Sequence, residues 1–313
     1  MKLGRLAWGY GLIIAIYLAM LLMVDTQKGF FEYVPTAMAQ LPVLLLFALA
    51  SFVLRYARWF WLLRWAGNEV PVWQGWLAYI SGFAFTATPG KVGELVRIRY
   101  FGRLHVDGSR VMSAFVFERA LDLVVVFCLA TLWVVDTQMF VVAATFVLVF
   151  LALVGLVMYR PKVLDALGMA FVGYGFKRVG RLLRFVAKAM AGCAIWLRPV
   201  PLLSSLFLGL VAWCSTALAF VFLLTALQLH VRFLAAFAAY PLAMLAGAAS
   251  MLPGGVGSTE AAIVVQLQWH DVPVATALLA AVVVRLGTMW FSVLLGLVSL
   301  LYQEFKYSHE AVN

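Results

Sequence analysis

The chain has 313 residues, of which 65% are hydrophobic and 12% are charged, and its formal net charge is +10. A soluble domain carries about 25% charged residues, so this composition, with a mean hydropathy of +1.02, excludes a water-soluble globular protein. The basic excess lies in short segments between long apolar runs, which argues against nucleic-acid binding. The composition predicts an all-α polytopic membrane protein that forms a single membrane domain, 1–313.

Six apolar stretches are about as long as the roughly 20 residues that a helix needs to cross a bilayer, or longer. The first follows a basic start and has no small-x-small cleavage site, so we predict an uncleaved span rather than a signal peptide. The predicted spans are 6–24, 41–64, 111–134, 139–158, 201–228 and 273–302.

Lysine and arginine are distributed unevenly between the loops. With a cytoplasmic N-terminus, residues 91–110 and 159–200 carry most of the basic side chains inside, and the outer loops keep only Lys28 and Arg232. This asymmetry follows the positive-inside rule. We therefore expect a multi-pass protein of the bacterial inner (cytoplasmic) membrane with both termini in the cytoplasm.

Residues 177–190 form a basic stripe opposite an apolar one. Lys177, Arg181, Arg184 and Lys188 recur at helical spacing, which predicts an amphipathic helix on the inner leaflet. The helix is interpreted as a topological elbow that contacts anionic lipid at the cytoplasmic face; a specific lipid-recruiting device is the alternative.

Two stretches do not fit a simple crossing. Residues 72–105 join two spans at the cytoplasmic face, and residues 231–271 join two spans at the outer face. Each is broken by Pro-Gly, in TPGKVGELVR (88–97) and LPGGVGSTEAA (252–262), with arms too short for two full crossings. We predict two re-entrant helical hairpins; ordinary helices with a proline kink or a tight turn are the alternative.

The order of span, hairpin and span over 41–134 returns over 201–302 with the opposite membrane orientation. Residues 159–200 form the cytoplasmic linker between these two repeats. An inverted repeat with discontinuous helices is typical of secondary transporters, in which the helix breaks mark the binding site. The predicted fold therefore has about six full spans plus two re-entrant helical hairpins in an inverted repeat.

The two Pro-Gly breaks predict a binding site. Helices that start after Pro89 and Pro253 direct N–H groups and positive dipole ends toward the membrane centre, which favours an anion. Lys91 adds a positive charge, and Ser258 and Thr259 add hydroxyl groups. The candidate substrate-binding residues are Pro89, Gly90, Lys91, Gly93, Glu94, Arg97, Glu118, Arg119, Asp122, Pro253, Gly254, Gly255, Gly257, Ser258, Thr259, Glu260 and Arg285.

Carboxylates within apolar segments admit two interpretations. Glu94 and Glu260 follow their Pro-Gly turns closely, so each either caps a helix or serves as a cavity carboxylate that meets a proton or a cationic group. Glu118 and Asp122 lie one helical turn apart on one face of a span. They either pair with arginine structurally or line a polar pathway.

Arg55, Arg58 and Arg285 lie well inside predicted spans. Arg285 needs an acidic partner, which Glu260, Glu118 or Asp122 would supply, and it occupies about the repeat-equivalent position to Arg119. For Arg55 and Arg58, the alternatives are snorkelling to the cytoplasmic face and a functional role.

Several motifs are absent from the sequence. It contains no GxxxxGK[ST], HExxH or GxSxG motif and no metal-spaced CxxC pair, and its four histidines are scattered. We therefore predict no ATP motor, no metal, no cofactor and no catalytic residue. Catalysis by glutamate and arginine alone is disfavoured rather than excluded.

The motifs TPGKVGELVR (88–97), ERALDL (118–123), RYARWFWLL (55–63) and LPGGVGSTEAA (252–262) together resemble the flippase-like membrane domain of lysylphosphatidylglycerol synthases. The resemblance covers nearly the whole chain and implies movement of lipids between leaflets, with aminoacyl-phospholipid or polyprenyl-phosphate as substrate types. The synthases carry a soluble aminoacyl-transfer domain after the membrane part, whereas this chain ends at Asn313. We therefore expect no aminoacyl transfer, and the lysyl substrate is not carried over.

The leading hypothesis is a lipid flippase or transporter, not an enzyme, that moves a phosphate-bearing lipid. The phosphate would lie at the converging half-helix ends near Lys91 and Arg119 or Arg285, and Glu94 and Glu260 would bind a cationic headgroup or a coupling proton. One alternative is a membrane-embedded lipid-headgroup enzyme that uses a glutamate as acid–base. The other is a non-catalytic partner of a lipid or glycan synthase.

Overall fold

A computed structural model describes residues 30–132, 161–173 and 176–310 of the chain, with a few isolated positions between 141 and 152. Within these ranges all regular structure is helical and no strand occurs, which confirms the all-α prediction for this part of the chain. The predicted span 6–24 and nearly all of the predicted span 139–158 lie outside the described residues.

The first half of the described chain is a series of helices interrupted at the first Pro-Gly. The α-helices are α1 (Phe30–Ala39), α2 (Leu41–Trp65), α3 (Val72–Ser81), α4 (Arg97–Gly102) and α5 (Gly108–Ala130). Two 3₁₀ segments, Gly82–Phe85 and Pro89–Val96, separate α3 from α4. Asp107 caps α5, because its side chain accepts a hydrogen bond from the backbone N–H of Ser109.

The second half of the described chain also contains long helices and a segment interrupted at a Pro-Gly. Its α-helices are α6 (Pro161–Gly173), α7 (Lys177–Cys193), α8 (Pro199–Ala226), α9 (Phe233–Ala249), α10 (Ser258–Gln268), α11 (Val274–Arg285) and α12 (Phe291–Glu310). A short 3₁₀ turn, Pro253–Gly255, lies between α9 and α10, and a π-helical turn, Leu286–Trp290, joins α11 to α12.

Three helical stretches among the described residues are long and apolar enough to cross a membrane. They are Tyr33–Trp65, Pro199–Ala226 and Val274–Tyr307, and they contain the predicted span 41–64 and nearly all of 201–228 and 273–302. Helix α5 lies where the span 111–134 is predicted and has 23 residues, but it carries charged side chains in its middle. These findings establish a helical membrane protein.

The two Pro-Gly breaks divide short helical arms. Helices α3 and α4 have 10 and 6 residues, and helices α9 and α10 have 17 and 11 residues. At 1.5 Å per residue, none of these arms alone spans a hydrocarbon core of about 30 Å. Helix α9 packs against α5, α8 and α10, whereas Met251 and Leu252 at the break itself are exposed.

The first broken segment is held against α12 by close backbone contact. A Cβ atom on Gly296 of α12 would overlap the backbone nitrogen of Ala84, so only glycine allows this approach. The hydroxyl of Ser299 also donates a hydrogen bond of 2.8 Å to the carbonyl of Leu77. The last helix therefore fixes the position of the turn that precedes the first Pro-Gly.

Helix α7 confirms the helical prediction for residues 177–190. Lys188 pairs with Asp107 at 2.8 Å, and Arg184 pairs with Asp165 at 3.1 Å, so the basic face contacts α6 and the start of α5. Leu182 on the same helix remains exposed.

Candidate functional site

The first Pro-Gly segment begins at a break in backbone geometry. Thr88 is extended, the 3₁₀ turn starts at Pro89, and Lys91 has a positive φ of 56°. The backbone N–H of Gly93 donates to the hydroxyl of Thr88 at 2.8 Å, and a Cβ atom on Gly93 would lie 2.6 Å from Cβ of Phe85. This tight turn brings Lys91 and Glu94 to the same cavity wall.

The second Pro-Gly segment is built from residues in the left-handed region. Gly254, Gly255 and Gly257 have φ values of 64°, 65° and 85°, a conformation that glycine adopts without steric strain. Helix α10 starts directly afterwards, and Glu260 in its first turn accepts a hydrogen bond of 2.7 Å from the backbone N–H of Gly257. Glu260 therefore caps the helix, one of its two interpretations from the sequence.

The two Pro-Gly segments contact each other. The turn Pro89–Val96 packs against Pro253–Gly255, and a Cβ atom on Gly254 would lie 3.3 Å from Cα of Ala87. A cavity of about 90 Å³ lies beside this contact, between the two halves of the described chain. It is lined by Ser51, Phe52, Arg55, Phe83, Thr86, Lys91, Glu94, Arg119, Trp213, Thr216, Tyr240, Met244, Gly254, Arg285, Thr288, Met289 and Ser292.

A network of buried charges joins α2 to α5 behind this cavity. Arg58 is fully buried, and its Nη2 lies 2.7 Å from Glu118 Oε1 and 2.9 Å from Asp122 Oδ1. Arg55 Nη1 lies 2.7 Å from Asp122 Oδ2. Arg119 adds a contact of 2.8 Å to Glu118 Oε2. Helices α2 and α5 are therefore linked by side chains of opposite charge at a depth where water does not screen them.

The first Pro-Gly segment joins the same network through Arg97. Its Nη1 lies 3.2 Å from Glu94 Oε2 and 3.9 Å from Glu118 Oε2, and its Nε donates to the carbonyl of Tyr79 at 2.7 Å. The guanidinium lies over the ring of Tyr79, 4.0 Å from the centroid. Glu94 also accepts from the hydroxyl of Thr86 at 3.1 Å, so its carboxylate is held at the cavity wall.

A second, separate pair holds the other Pro-Gly segment. Arg285 Nε lies 2.9 Å from Glu260 Oε1, and Arg285 Nη2 donates to the carbonyl of Gly254. The sequence leaves three acids open as the partner of Arg285, and in the structure the partner is Glu260. Arg285 lies at the end of α11, beside the π-helical turn, and it lines the same cavity as Arg119.

The structure brings only part of the predicted residue set to the cavity wall. Lys91, Glu94, Arg119, Gly254 and Arg285 line it. The charged residues that pair behind this wall are Arg97, Glu118, Asp122 and Glu260. The residues that form the two turns themselves are Pro89, Gly90, Gly93, Pro253, Gly255 and Gly257.

The hydroxyl side chains of Ser258 and Thr259 contact residues of the second Pro-Gly segment and of α9. Ser258 donates to the carbonyl of Gly255 at 3.1 Å and shares a hydrogen bond of 2.8 Å with Ser250. Thr259 is buried where α10 contacts Gly247 of α9. Neither side chain is part of the cavity wall.

The site residues predicted from the sequence do not include Arg55, Arg58 and Trp213. Snorkelling of the two arginines to the cytoplasmic face is wrong, because both are buried and paired with acids of α5. Their spacing of three residues on one face of an apolar helix was the available signal. Trp213 lines the cavity beneath Arg55, 4.7 Å from the guanidinium carbon to the ring centroid, and nothing in its apolar surroundings marks it in the sequence.

The charged side chains in the described wall of the cavity are mostly basic. Arg55, Lys91, Arg119 and Arg285 face the cavity, whereas Glu94 is the one carboxylate in its described wall. No histidine or cysteine lines it, and the described residues contain no group of three or more histidine, cysteine, aspartate or glutamate side chains placed to hold a metal ion.

Comparison with known families supports the resemblance carried by the sequence motifs. A family model for the lysylphosphatidylglycerol synthase TM region matches residues 8–296, which include both Pro-Gly segments and every cavity-lining residue. No curated protein matches the chain. The family points to a membrane lipid-related role. Since the match covers most of the chain, this protein belongs to the family of the lysylphosphatidylglycerol synthase TM region.

Proposed function

We propose that the protein is a flippase that moves a phosphate-bearing lipid between the leaflets of the bacterial inner membrane. The observation that carries this proposal is the cavity between the two Pro-Gly breaks, which presents Arg55, Lys91, Arg119 and Arg285 inside a helical membrane protein. Cationic groups inside a membrane are costly and mark substrate pathways. The chemistry that recognises them is a phosphate or another oxyanion.

The helix breaks support a transporter architecture. Each Pro-Gly segment is flanked by helical arms shorter than the bilayer, and the two segments contact each other. Two hairpins that enter from opposite leaflets and meet near the midplane have this arrangement, which inverted-repeat transporters use at their binding sites. The full proposal has about six spans and two re-entrant hairpins, with both termini in the cytoplasm.

Repeat-equivalent positions in the two halves have similar roles. Arg119 and Arg285 follow the prolines of their breaks by 30 and 32 residues, and both side chains line the same cavity. Glu94 and Glu260 follow the same breaks, and each pairs with an arginine of its own half. Such pairing supports an inverted repeat in which both halves contribute to one headgroup site.

Anionic lipid at the cytoplasmic face is the second lipid contact of this proposal. Helix α7 carries several basic side chains and leaves the apolar Val179 and Leu182 exposed. A basic helix with exposed apolar side chains binds the interface of a negatively charged leaflet. The linker would in this way anchor the two repeats to the inner leaflet.

Reconstitution tests the transport proposal directly. Purified full-length protein in liposomes of phosphatidylcholine and phosphatidylglycerol is given a fluorescent phosphatidic acid analogue, and chemical quenching of the outer leaflet reports exchange. Lys91→Gln is the informative variant, because Lys91 has no ion-pair partner among the described residues and its loss strands no carboxylate. We expect exchange to slow at least about tenfold, the effect of losing one charge-assisted hydrogen bond.

Arg64→Gln is the matched control, because Arg64 is an exposed cation at the end of α2, the helix that carries Arg55. It should exchange lipid at the wild-type rate. Equal rates for wild type and Lys91→Gln would contradict the proposal. Conversion of the lipid headgroup in detergent, without a sealed bilayer, would instead show a membrane-embedded enzyme.

A further inference from the structure

The buried charges of the described chain balance each other. Four arginines and four carboxylates are buried: Arg55, Arg58, Arg97, Arg285, Glu94, Glu118, Asp122 and Glu260. Every one of them lies within 4 Å of a group of opposite charge in this set. This core of the site therefore carries no net charge of its own.

Two more cations line the cavity beyond this balanced set. Arg119 lies 2.8 Å from Glu118 and 3.7 Å from Asp122. The charges of these two acids are already balanced by Arg58 and Arg55. Lys91 has no carboxylate within 4 Å among the described residues. The carboxylate at the cavity wall, Glu94, is itself paired with an arginine. Counted over the described residues, the cavity and the buried charges behind it therefore carry a surplus of two positive charges.

Trp213 adds a neutral donor to the same wall. Three tryptophans are buried in the described chain, and the indole N–H groups of two of them have acceptors: Trp59 donates to Glu118 at 2.8 Å and Trp196 to the carbonyl of Leu62 at 2.9 Å. Trp213 is only 7% exposed, and its Nε1 has no hydrogen-bond partner in the described residues. A buried N–H without an acceptor is unfavourable, so its position in the cavity wall points to an acceptor on a ligand.

We propose that the cavity selects a phosphate monoester headgroup, whose two negative charges match Lys91 and Arg119, with the indole N–H of Trp213 donating to a phosphoryl oxygen. This inference rests on the proposed function, in which the site takes a phosphate-bearing lipid. A phosphate monoester carries a charge of about −1.5 to −2 at pH 7, whereas a phosphodiester such as phosphatidylglycerol carries one negative charge. The monoester neutralises the surplus, and the diester leaves one cation unpaired.

The test compares two lipids with the same acyl chains. Full-length protein in detergent is titrated with dioleoyl phosphatidic acid, a monoester, or with dioleoyl phosphatidylglycerol, a diester, and bound lipid is counted by native mass spectrometry. We expect the monoester to bind at least about tenfold more tightly, as one additional charge-assisted contact provides. Inorganic phosphate as a competitor distinguishes the lipid from the free ion: a lipid site loses little bound phosphatidic acid, and a free-phosphate site loses most.

Variants separate the charge match from the indole donor. Lys91→Gln should reduce the preference for the monoester to less than about threefold, because it removes one surplus charge. Trp213→Phe keeps an aromatic ring beneath Arg55, and it should weaken both lipids about fivefold without changing the preference, since only a neutral donor is lost. Trp196→Phe is the control for loss of a buried indole N–H away from the cavity and should leave both affinities unchanged.

The outcomes distinguish this inference from the function on which it rests. Lipid exchange in the liposome assay together with equal affinity for both lipids would overturn the monoester inference and leave the flippase proposal standing. Absence of exchange in liposomes and of binding for both lipids would overturn the flippase proposal itself. If Trp213→Phe binds both lipids with wild-type affinity, the indole N–H does not contact the headgroup, and that part of the inference is wrong whichever lipid is preferred.

Discussion

Replacing Arg58 with methionine tests whether the charges between α2 and α5 form one balanced unit. The buried guanidinium lies 2.7 Å from a carboxylate oxygen of Glu118 and 2.9 Å from one of Asp122. Coulomb's law with an effective dielectric constant of about 20 gives roughly 6 kcal/mol for each contact. Desolvation offsets most of this attraction, and removal of one partner of a buried pair has a net effect of about 3–5 kcal/mol.

The lower end of this range applies here, because the two acids keep other donors. Arg55 remains 2.7 Å from Asp122, and the indole of Trp59 remains 2.8 Å from Glu118. We therefore expect Arg58→Met to lower the free energy of unfolding by about 3 kcal/mol. Adding Glu118→Gln removes one stranded charge. The loss of unfolding free energy in the double variant should therefore be smaller than the sum of the two single losses by about 1–3 kcal/mol.

Reversible denaturant unfolding in detergent micelles, followed by circular dichroism, measures these free energies. Arg64→Met is the matched control, because Arg64 is exposed on the same helix, and it should change stability by less than about 0.5 kcal/mol. A change of less than about 0.5 kcal/mol for Arg58→Met, or strict additivity in the double variant, would refute the picture of a coupled buried network.

Two further predictions concern packing and pH. Gly296→Ala should lower the free energy of unfolding by about 1–3 kcal/mol, because the added methyl group overlaps the backbone of Ala84, and thermal unfolding in detergent measures the loss. The hydrogen bonds from Lys188 and from the backbone N–H of Ser109 lower the pKa of Asp107 to about 2 from its ordinary 3.8. Because folding lowers this pKa, the ionised side chain stabilises the protein above about pH 4, and this stabilisation is lost as the pH falls toward 2. The difference in melting temperature between wild type and Asp107→Asn should therefore shrink over that interval, and it should be small at neutral pH because the pair is exposed to solvent.

Matched substitutions control both experiments. Gly102→Ala is the control for the glycine, since a Cβ atom there would meet nothing within 4 Å, and it should not destabilise the protein. Asp271→Asn, which removes an exposed carboxylate that forms no ion pair among the described residues, is the control for Asp107→Asn. A loss in Gly102→Ala equal to that in Gly296→Ala, or an Asp107→Asn difference that persists at pH 2, would contradict these assignments.

Features that depend on neighbouring residues could be predicted from the sequence. The breaks at Pro89 and Pro253 follow from proline and glycine chemistry, and both separate helices in the structure. The amphipathic helix at 177–190 follows from the spacing of its basic residues, and it is present as α7. Two predicted spans, 6–24 and 139–158, stay predictions because they lie outside the described residues or nearly so.

Contacts between distant elements could not be predicted in the same way. Helices α2 and α5 are apolar on most of their surface, so their hydrophobic pattern does not indicate which face is turned to the interior. For that reason snorkelling remained open for Arg55 and Arg58, and three acids remained open as the partner of Arg285. The packing of α2 on α5 and of α10 on α11 decided each pairing.

The sequence by itself determined that the protein lies in lipid, that it is helical, that two segments are broken and that charges lie inside apolar helices. These properties follow from composition and local spacing, because lipid demands apolar surfaces and internally bonded backbone. Only the tertiary structure decided that the two breaks meet, that Trp213 lies in the same wall as Lys91 and Arg119, and that the other charges cancel. A pairing of charges depends on distances of 3–4 Å between helices far apart in the chain, and no local pattern specifies those distances.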